Sequence, residues 1–217
     1  MALAIFDLDE TLIAGDSASL WLAFLAREGR VSEALLAEER RLMADYYQGE
    51  MDMEAYMTLT LSPLQGRRPD ELAPLVTRFI EHEIAPLVYP QARATLDWHR
   101  RQGHRCLIIS ATAEYLVAPI ALSLGVEQAI GIEAQLERGR YNGRARGVFS
   151  YRQGKVTRLT QWLERQGLSP AFSYGYSDSH NDLPLLEYVD EAAVVNAAAP
   201  LADIAASRGW RQLSWTL

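Results

Sequence analysis

Ala2-Leu3-Ala4-Ile5-Phe6-Asp7-Leu8-Asp9-Glu10-Thr11 decides how the rest of the chain is read. A short continuous apolar run stops on a carboxylate, and a second carboxylate follows two positions later. Such a run, bounded by polar residues, reads as a parallel strand buried on both faces. It is too short to span a membrane, and no basic segment precedes it as in a signal peptide. A cytoplasmic protein without a membrane partner is therefore expected.

The pattern changes after Gly15. From about Asp16 to Ala85 the apolar spacing is helical and no strand is expected. Trp21, Phe24 and Leu25 share one face, as do Leu36, Met43 and Tyr47. Leu72, Leu75, Val76, Phe79, Ile80 and Ile84 form the clearest stripe. Pro69-Asp70-Glu71 suits a helix start, whereas Pro74 inside the stripe calls for a later start or a kink. Trp21, Phe24, Met43, Tyr46, Tyr47, Met53, Tyr56 and Met57 are expected mostly in the core of this helical bundle.

Beyond Pro86, helices and strands alternate. Helices are expected over 90–102, 113–124 (bent or divided by Pro119), around 156–163, and over 182–188 and 200–207. Strands are expected over 105–110, 129–136, 171–176 and 192–195, with a last edge strand at 213–216. The polar stretch from Arg138 to Gly143 reads as a hairpin turn. Alternation of this kind implies α/β architecture: a Rossmann-like, doubly wound parallel sheet. Residues 1–15 and 86–217 would form the catalytic core, and 16–85 an inserted all-helical cap.

Composition agrees with one sizeable core. The chain has 217 residues, 49% hydrophobic and 23% charged, with a net charge of −7. That charge argues against a nucleic-acid partner. The single cysteine, Cys106, excludes an intrachain disulfide and a zinc-type cluster, and reads as a buried small hydrophobe.

In open α/β sheets ligands bind beyond the carboxyl ends of the strands. There the apolar runs end in Asp7-Leu8-Asp9-Glu10-Thr11, in Ser110-Ala111-Thr112, and in Ser177-Asp178-Ser179-His180-Asn181-Asp182. Parallel topology gathers Asp7, Asp9, Asp178 and Asp182 at one edge. Two like charges about 4 Å apart repel by about 4 kcal/mol at an effective dielectric of about 20. Such crowding strains the fold, raises pKa values or demands a cation, and Mg²⁺ suits carboxylate and carbonyl oxygens beside a phosphate. Lys155, after Gly154 at a helix start, supplies a further positive charge.

These stretches resemble, in order and placement, the four motifs of the haloacid dehalogenase superfamily of phosphatases. The early helical insertion resembles the cap of its phosphoserine phosphatase-like subfamily, IB. The resemblance implies a magnesium-dependent phosphomonoester hydrolase acting on a small phosphorylated metabolite. Asp7 would be the nucleophile that becomes an aspartyl phosphate. Asp9 would be the general acid and then the base. Asp7, the backbone carbonyl of Asp9 and Asp178 would hold Mg²⁺. Ser110, or Thr112 in its place, and Lys155 would bind phosphate. Thr11, Asn181 and Asp182 would support the site.

Asp16 matches an acidic position that contacts the substrate amine in phosphoserine phosphatases. Those enzymes also place an arginine on the cap for the substrate carboxylate, and Met57-Thr58-Leu59-Thr60-Leu61 has none. The combination favours an amino-alcohol phosphate such as histidinol phosphate over phosphoserine. A phosphotransferase to another alcohol shares every motif residue. A phosphoryl-accepting signalling receiver shares the Asp, Ser and Lys types but has neither the helical insertion nor a base at Asp9. His180 reads either as facing substrate or as an exposed loop residue, and Arg138, Arg140, Arg144 and Arg146 as a solvated hairpin. Composition leaves the oligomeric state open.

Overall fold

A computed structural model of the chain describes residues 1–48 and 50–217, and all side chains within them except that of Tyr47, whose expected place in the bundle core lies outside what is described. The chain starts with strand β1 (Ala2–Phe6), followed by helices α1 (Ser17–Arg27), α2 (Glu33–Tyr47), α3 (Met53–Leu61) and α4 (Pro69–Phe79). Then come α5 (Pro90–Arg101), β2 (Arg105–Ala113), α6 (Glu114–Ser123), β3 (Gln128–Glu137) and β4 (Arg140–Arg146). The last part holds α7 (Gln153–Gln166), β5 (Phe172–Ser177), α8 (Leu183–Tyr188), β6 (Glu191–Val195), α9 (Ala199–Arg208) and β7 (Arg211–Leu213).

The strands form one seven-stranded sheet in the order β4-β3-β2-β1-β5-β6-β7. All pairings are parallel except β3 with β4. The chain moves outward from β1 through β2 and β3, then returns to the other side of β1 at β5. The crevice where the order reverses lies beyond the ends of β1, β2 and β5, the usual ligand site of such sheets.

Period-two alternation sorts the side chains of each inner strand onto the two faces. Ala4, Phe6, Cys106 and Ile108 point to one core. Leu3, Ile5, Leu107 and Ile109 point to the other. The first face is covered by α5 and α6 together with Trp21, Leu22 and Phe24 of α1 and Leu75, Val76 and Phe79 of α4. The second is covered by Leu159, Trp162 and Leu163 of α7, Leu185 and Leu186 of α8, and Leu201 and Ala205 of α9. α2 and α3 pack over the β3–β4 rim in a separate cluster with Ile132 and Tyr141. The first three helices are capped by side chains that accept backbone N–H groups, Asp16 for α1, Ser32 for α2 and Asp52 for α3.

Some boundaries differ from the sequence expectation. Helix α4 starts at Pro69 and runs through Pro74. Pro74 lies on the exposed face, one turn in from the helix start, and removes one helical hydrogen bond there. A π-helical turn, Ile80–Ile84, continues the apolar stripe instead. Helix α6 likewise stays in one piece across Pro119. Strand β2 does not stop at Ser110 but reaches Ala113, with its pairing to β3 shifted between Ile109 and Ala113. The hairpin turn is only Arg138-Gly139, both at positive φ, and Arg140–Arg146 is a true strand.

Candidate active site

Asp7 follows directly on β1, and its N–H donates to the Tyr176 carbonyl on β5, so the ladder holds the residue at the strand end. Beyond it the strand gives way to a tight turn in which the N–H groups of Thr11, Leu12 and Ile13 converge on the Leu8 carbonyl. Glu10 takes positive φ there. The turn breaks the strand alternation and lets Asp7 and Asp9 line one cleft.

Lys155 enters the cleft from the first turn of α7. Its Nζ lies 2.6 Å from Asp7 Oδ1 and 2.7 Å from Asp182 Oδ2, and the residue is only 2% exposed. The Ser177 hydroxyl also donates to Asp182 Oδ2. Burial works against the Lys155 ammonium, but Asp182 and Asp7 outweigh it and hold the amine above its ordinary range. Burial is the largest influence on Asp7 and pushes its carboxyl up to about 7. Lys155 opposes that shift, while Asp182 and Asp9 add to it.

The loop that delivers Lys155 is tightly drawn. Arg152 takes φ 51° and ψ −127° just before α7. A Cβ on Gly154 would sit 1.9 Å from the Phe149 carbonyl oxygen, so only glycine fits. The Ser150 hydroxyl donates to the Ser110 carbonyl, fastening the loop to β2. Tyr151 Oη and Arg152 Nε both donate to Asn181 Oδ1, fastening it to the segment after β5.

Asp9 turns its carboxylate toward α1 and β2. Its Oδ1 accepts from Ser17 N at 2.6 Å, and its Oδ2 from Ser110 Oγ at 2.9 Å and Thr112 Oγ1 at 3.0 Å. Ser110 and Thr112 therefore both reach the cleft, and each is engaged with Asp9 rather than capping a helix. Asp178 stands across from Asp7. Its Oδ1 accepts from Thr11 Oγ1 at 2.8 Å, while its N–H donates back to that oxygen at 3.0 Å. Burial and the nearby Asp7 push its carboxyl well above the usual carboxylate range.

Two buried carboxyls whose ionised forms are disfavoured by burial and by each other, with one ammonium already shared with Asp182, form a donor set that suits a hard cation. Among the described residues no three His, Cys, Asp or Glu side chains group closely enough to hold a metal by themselves. An ion here would rest on the Asp7 and Asp178 carboxylates and a main-chain oxygen such as that of Asp9. The expected residues fit that arrangement.

Asp16 lines the other end of the cleft, where its Oδ1 caps α1 by accepting from Ser19 N at 2.7 Å. Burial and the Asp9 charge push its carboxyl up to about 7. This end is otherwise walled by Met43, Tyr46, Met51, Met53 and Tyr56. No arginine lines the cleft among the described residues. Arg68 is exposed and paired with Asp70 at the start of α4.

Several expectations resolve simply. Asp182 does not cap α8 with its side chain, because that carboxylate is engaged by Lys155 and Ser177. His180 is exposed, at the rim of an adjoining outer hollow. Cys106 is buried and free. Ser17 and Ser177 were not singled out from sequence, although each adjoins a residue that was. Ser19 and Glu39 gave no signal, whereas Tyr56 belongs to the aromatic and Met residues of the bundle core, of which one or two are expected to close over the substrate.

With this geometry in place, comparison with known proteins defines the class. The model of the haloacid dehalogenase-like hydrolases matches residues 4–187, and the chain belongs to that family. It is similar to a histidinol-phosphatase of Neisseria meningitidis serogroup C (strain 8013), 38% identical over 98% of each chain. It is also similar to a phosphoserine phosphatase of Mycobacterium tuberculosis (strain ATCC 25618 / H37Rv), 30% identical over 96% of this chain and 69% of that one. A solved structure of a protein of unknown function from Bordetella pertussis Tohama I matches with a TM-score of 0.89 and 40% identity, over 98% of this chain and 97% of that one. A substrate-bound phosphoserine phosphatase shares the fold, with a TM-score of 0.68 at 16% identity over 93% of this chain and 89% of that one. No described helix is long and apolar enough to cross a membrane.

Proposed function

We propose that this chain is a phosphomonoester hydrolase that passes the phosphoryl group through Asp7. The observation that carries the reading is the buried contact between Lys155 and Asp7 Oδ1 at the end of β1, in one cleft with Asp9 and Asp178. With Oδ1 held by Lys155, Oδ2 attacks phosphorus. The P–O bond to the leaving alcohol breaks, and Asp9 gives that oxygen its proton. Asp9 then takes a proton from water, whose oxygen attacks phosphorus and breaks the Asp7–phosphate bond. Inorganic phosphate leaves and the Asp7 carboxylate is restored.

Ser110 and Lys155 hold the phosphate oxygens through this sequence, with Thr112 beside Ser110. Asp182 and Ser177 keep the Lys155 amine in place, and Asn181 keeps its loop. Asp7, Asp178 and the Asp9 carbonyl would hold Mg²⁺. When bound, the ion offsets the repulsion between the Asp7 carboxylate and the phosphate it attacks. Residues 16–85 act as a cap that covers the cleft and reads the leaving group.

For the substrate we propose a phosphate ester of an amino alcohol without a carboxylate, with histidinol phosphate as the specific instance. An acid at Asp16 with no arginine in the cleft supports this, as does the name of the Neisseria relative. The test is phosphate release by the purified protein and by Asp7→Asn. The variant should retain its fold and lose turnover, and acid-quenched wild-type enzyme should carry phosphate on Asp7. Unchanged turnover in Asp7→Asn rejects the nucleophile.

A further inference from the structure

Tyr56 of α3 presents an unusual group at the leaving-group end of the cleft. The residue is 5% exposed, and its buried hydroxyl adjoins the Ser19 hydroxyl without making a well-formed hydrogen bond. The Ser19 hydroxyl gives its proton to Glu39 Oε1 at 2.5 Å, which leaves it only a weak acceptor contact with Tyr56. Glu39 is itself 4% exposed, and among the described residues no ion pair engages it. Asp16 completes the group from the cap of α1. Burial holds the Tyr56 hydroxyl protonated, with Asp16 and Glu39 adding to the effect.

A buried hydroxyl without a partner destabilises a fold unless something else completes it. The same place gathers two acids, Asp16 and Glu39, that no ion pair answers among the described residues, and Met and Tyr side chains wall it. A positively charged nitrogen with an N–H to give fits all three features: the hydroxyl accepts, the carboxylates attract, and the aromatic faces favour a cation.

We propose that Tyr56 is a specificity-determining residue, whose hydroxyl binds a nitrogen of a cationic leaving group against the buried charge of Glu39 and Asp16. This rests on the phosphatase reading above and deepens it. The substrate class is phosphate esters of alcohols that carry an ammonium or imidazolium, and Glu39 acts through Ser19 and the local field rather than by touching the ligand.

The test compares kcat/KM for histidinol phosphate with that for p-nitrophenyl phosphate, whose leaving group has no cationic nitrogen. In Tyr56→Phe the ratio of the two should fall about tenfold, the worth of one such hydrogen bond. The Tm of the free variant should stay close to that of the wild type, because no well-formed folded-state bond is lost. Glu39→Gln keeps an acceptor for Ser19 and removes the charge, so it should lower the same ratio mainly through KM. An unmoved ratio in both variants overturns the inference. So does a Tm loss in Tyr56→Phe that accompanies equal losses on both substrates, since that marks a packing role. Absence of turnover of either ester by the wild type instead rejects the phosphatase reading itself.

Discussion

Ser110 and Asp9 are joined by a hydrogen bond of 2.9 Å from Ser110 Oγ to Asp9 Oδ2. The hydroxyl proposed to hold phosphate is thus engaged with the proposed proton donor until a ligand arrives. If Ser110 hands its proton to a phosphate oxygen, Ser110→Ala should lower kcat/KM for phosphate release by about 100-fold, the usual loss for one such donor. Thr112→Val should cost less. Steady-state kinetics check this: a Ser110→Ala change confined to the pH profile, with KM intact, would leave Ser110 only the task of orienting Asp9.

Lys155 satisfies two buried carboxylates at once. Lys155→Met removes both ion pairs and strands the acids, and breaking a buried pair from one side costs about 3–5 kcal/mol. Asp182→Asn should cost less, because an amide oxygen still accepts from Ser177 and Lys155. Urea unfolding midpoints should therefore rank wild type, then Asp182→Asn, then Lys155→Met. Equal midpoints for the two variants would contradict this ranking.

Asp16 gives a pH dependence of defined sign. Its carboxyl is raised from 3.8 to about 7 in the folded chain, so the folded state binds the extra proton between those values. That contribution to stability is complete below pH 3.8 and is lost as pH rises through about 7. In EDTA the Tm should decline across that range, and Asp16→Asn should flatten the decline. The same titration predicts that KM for a cationic substrate falls as pH passes about 7, when Asp16 becomes an anion. A KM independent of pH would remove Asp16 from substrate binding.

Thr11 fixes Asp178 through bonds in both directions. Chelation should abolish phosphate release and Mg²⁺ should restore it. Thr11→Val should raise the Mg²⁺ concentration for half-maximal activity by about tenfold, as loss of a supporting hydrogen bond does at other metal sites. Full activity in EDTA would exclude the metal.

The acids and the lysine were readable in the sequence because each stands just past an apolar run or at a helix start. Parallel topology then leaves one edge for Asp7, Asp9 and Asp178 to meet. The extension of β2 was not readable. Ala111-Thr112-Ala113 carries no apolar signal, and the pairing shift that keeps it in the sheet is a tertiary event. Neither Pro74 nor Pro119 divides its helix, since packing on the core carries both helices past a missing donor. Glu39 was invisible for a different reason. An acid on a helix rich in Glu and Arg reads as solvated, and only the crossing of α2 over α1 turns it toward Ser19.

The contact between Gly154 and the Phe149 carbonyl has a consequence for how such enzymes can diversify. Even a methyl group there would pry the loop open and draw the amine of Lys155 away from its acids. The apparatus that breaks the ester tolerates almost no experiment along this stretch. The helices α2 and α3, which wall the far end of the cleft, hold no glycine pinned in this way, so new tastes for alcohols can arise there while the chemistry beneath stays unaltered.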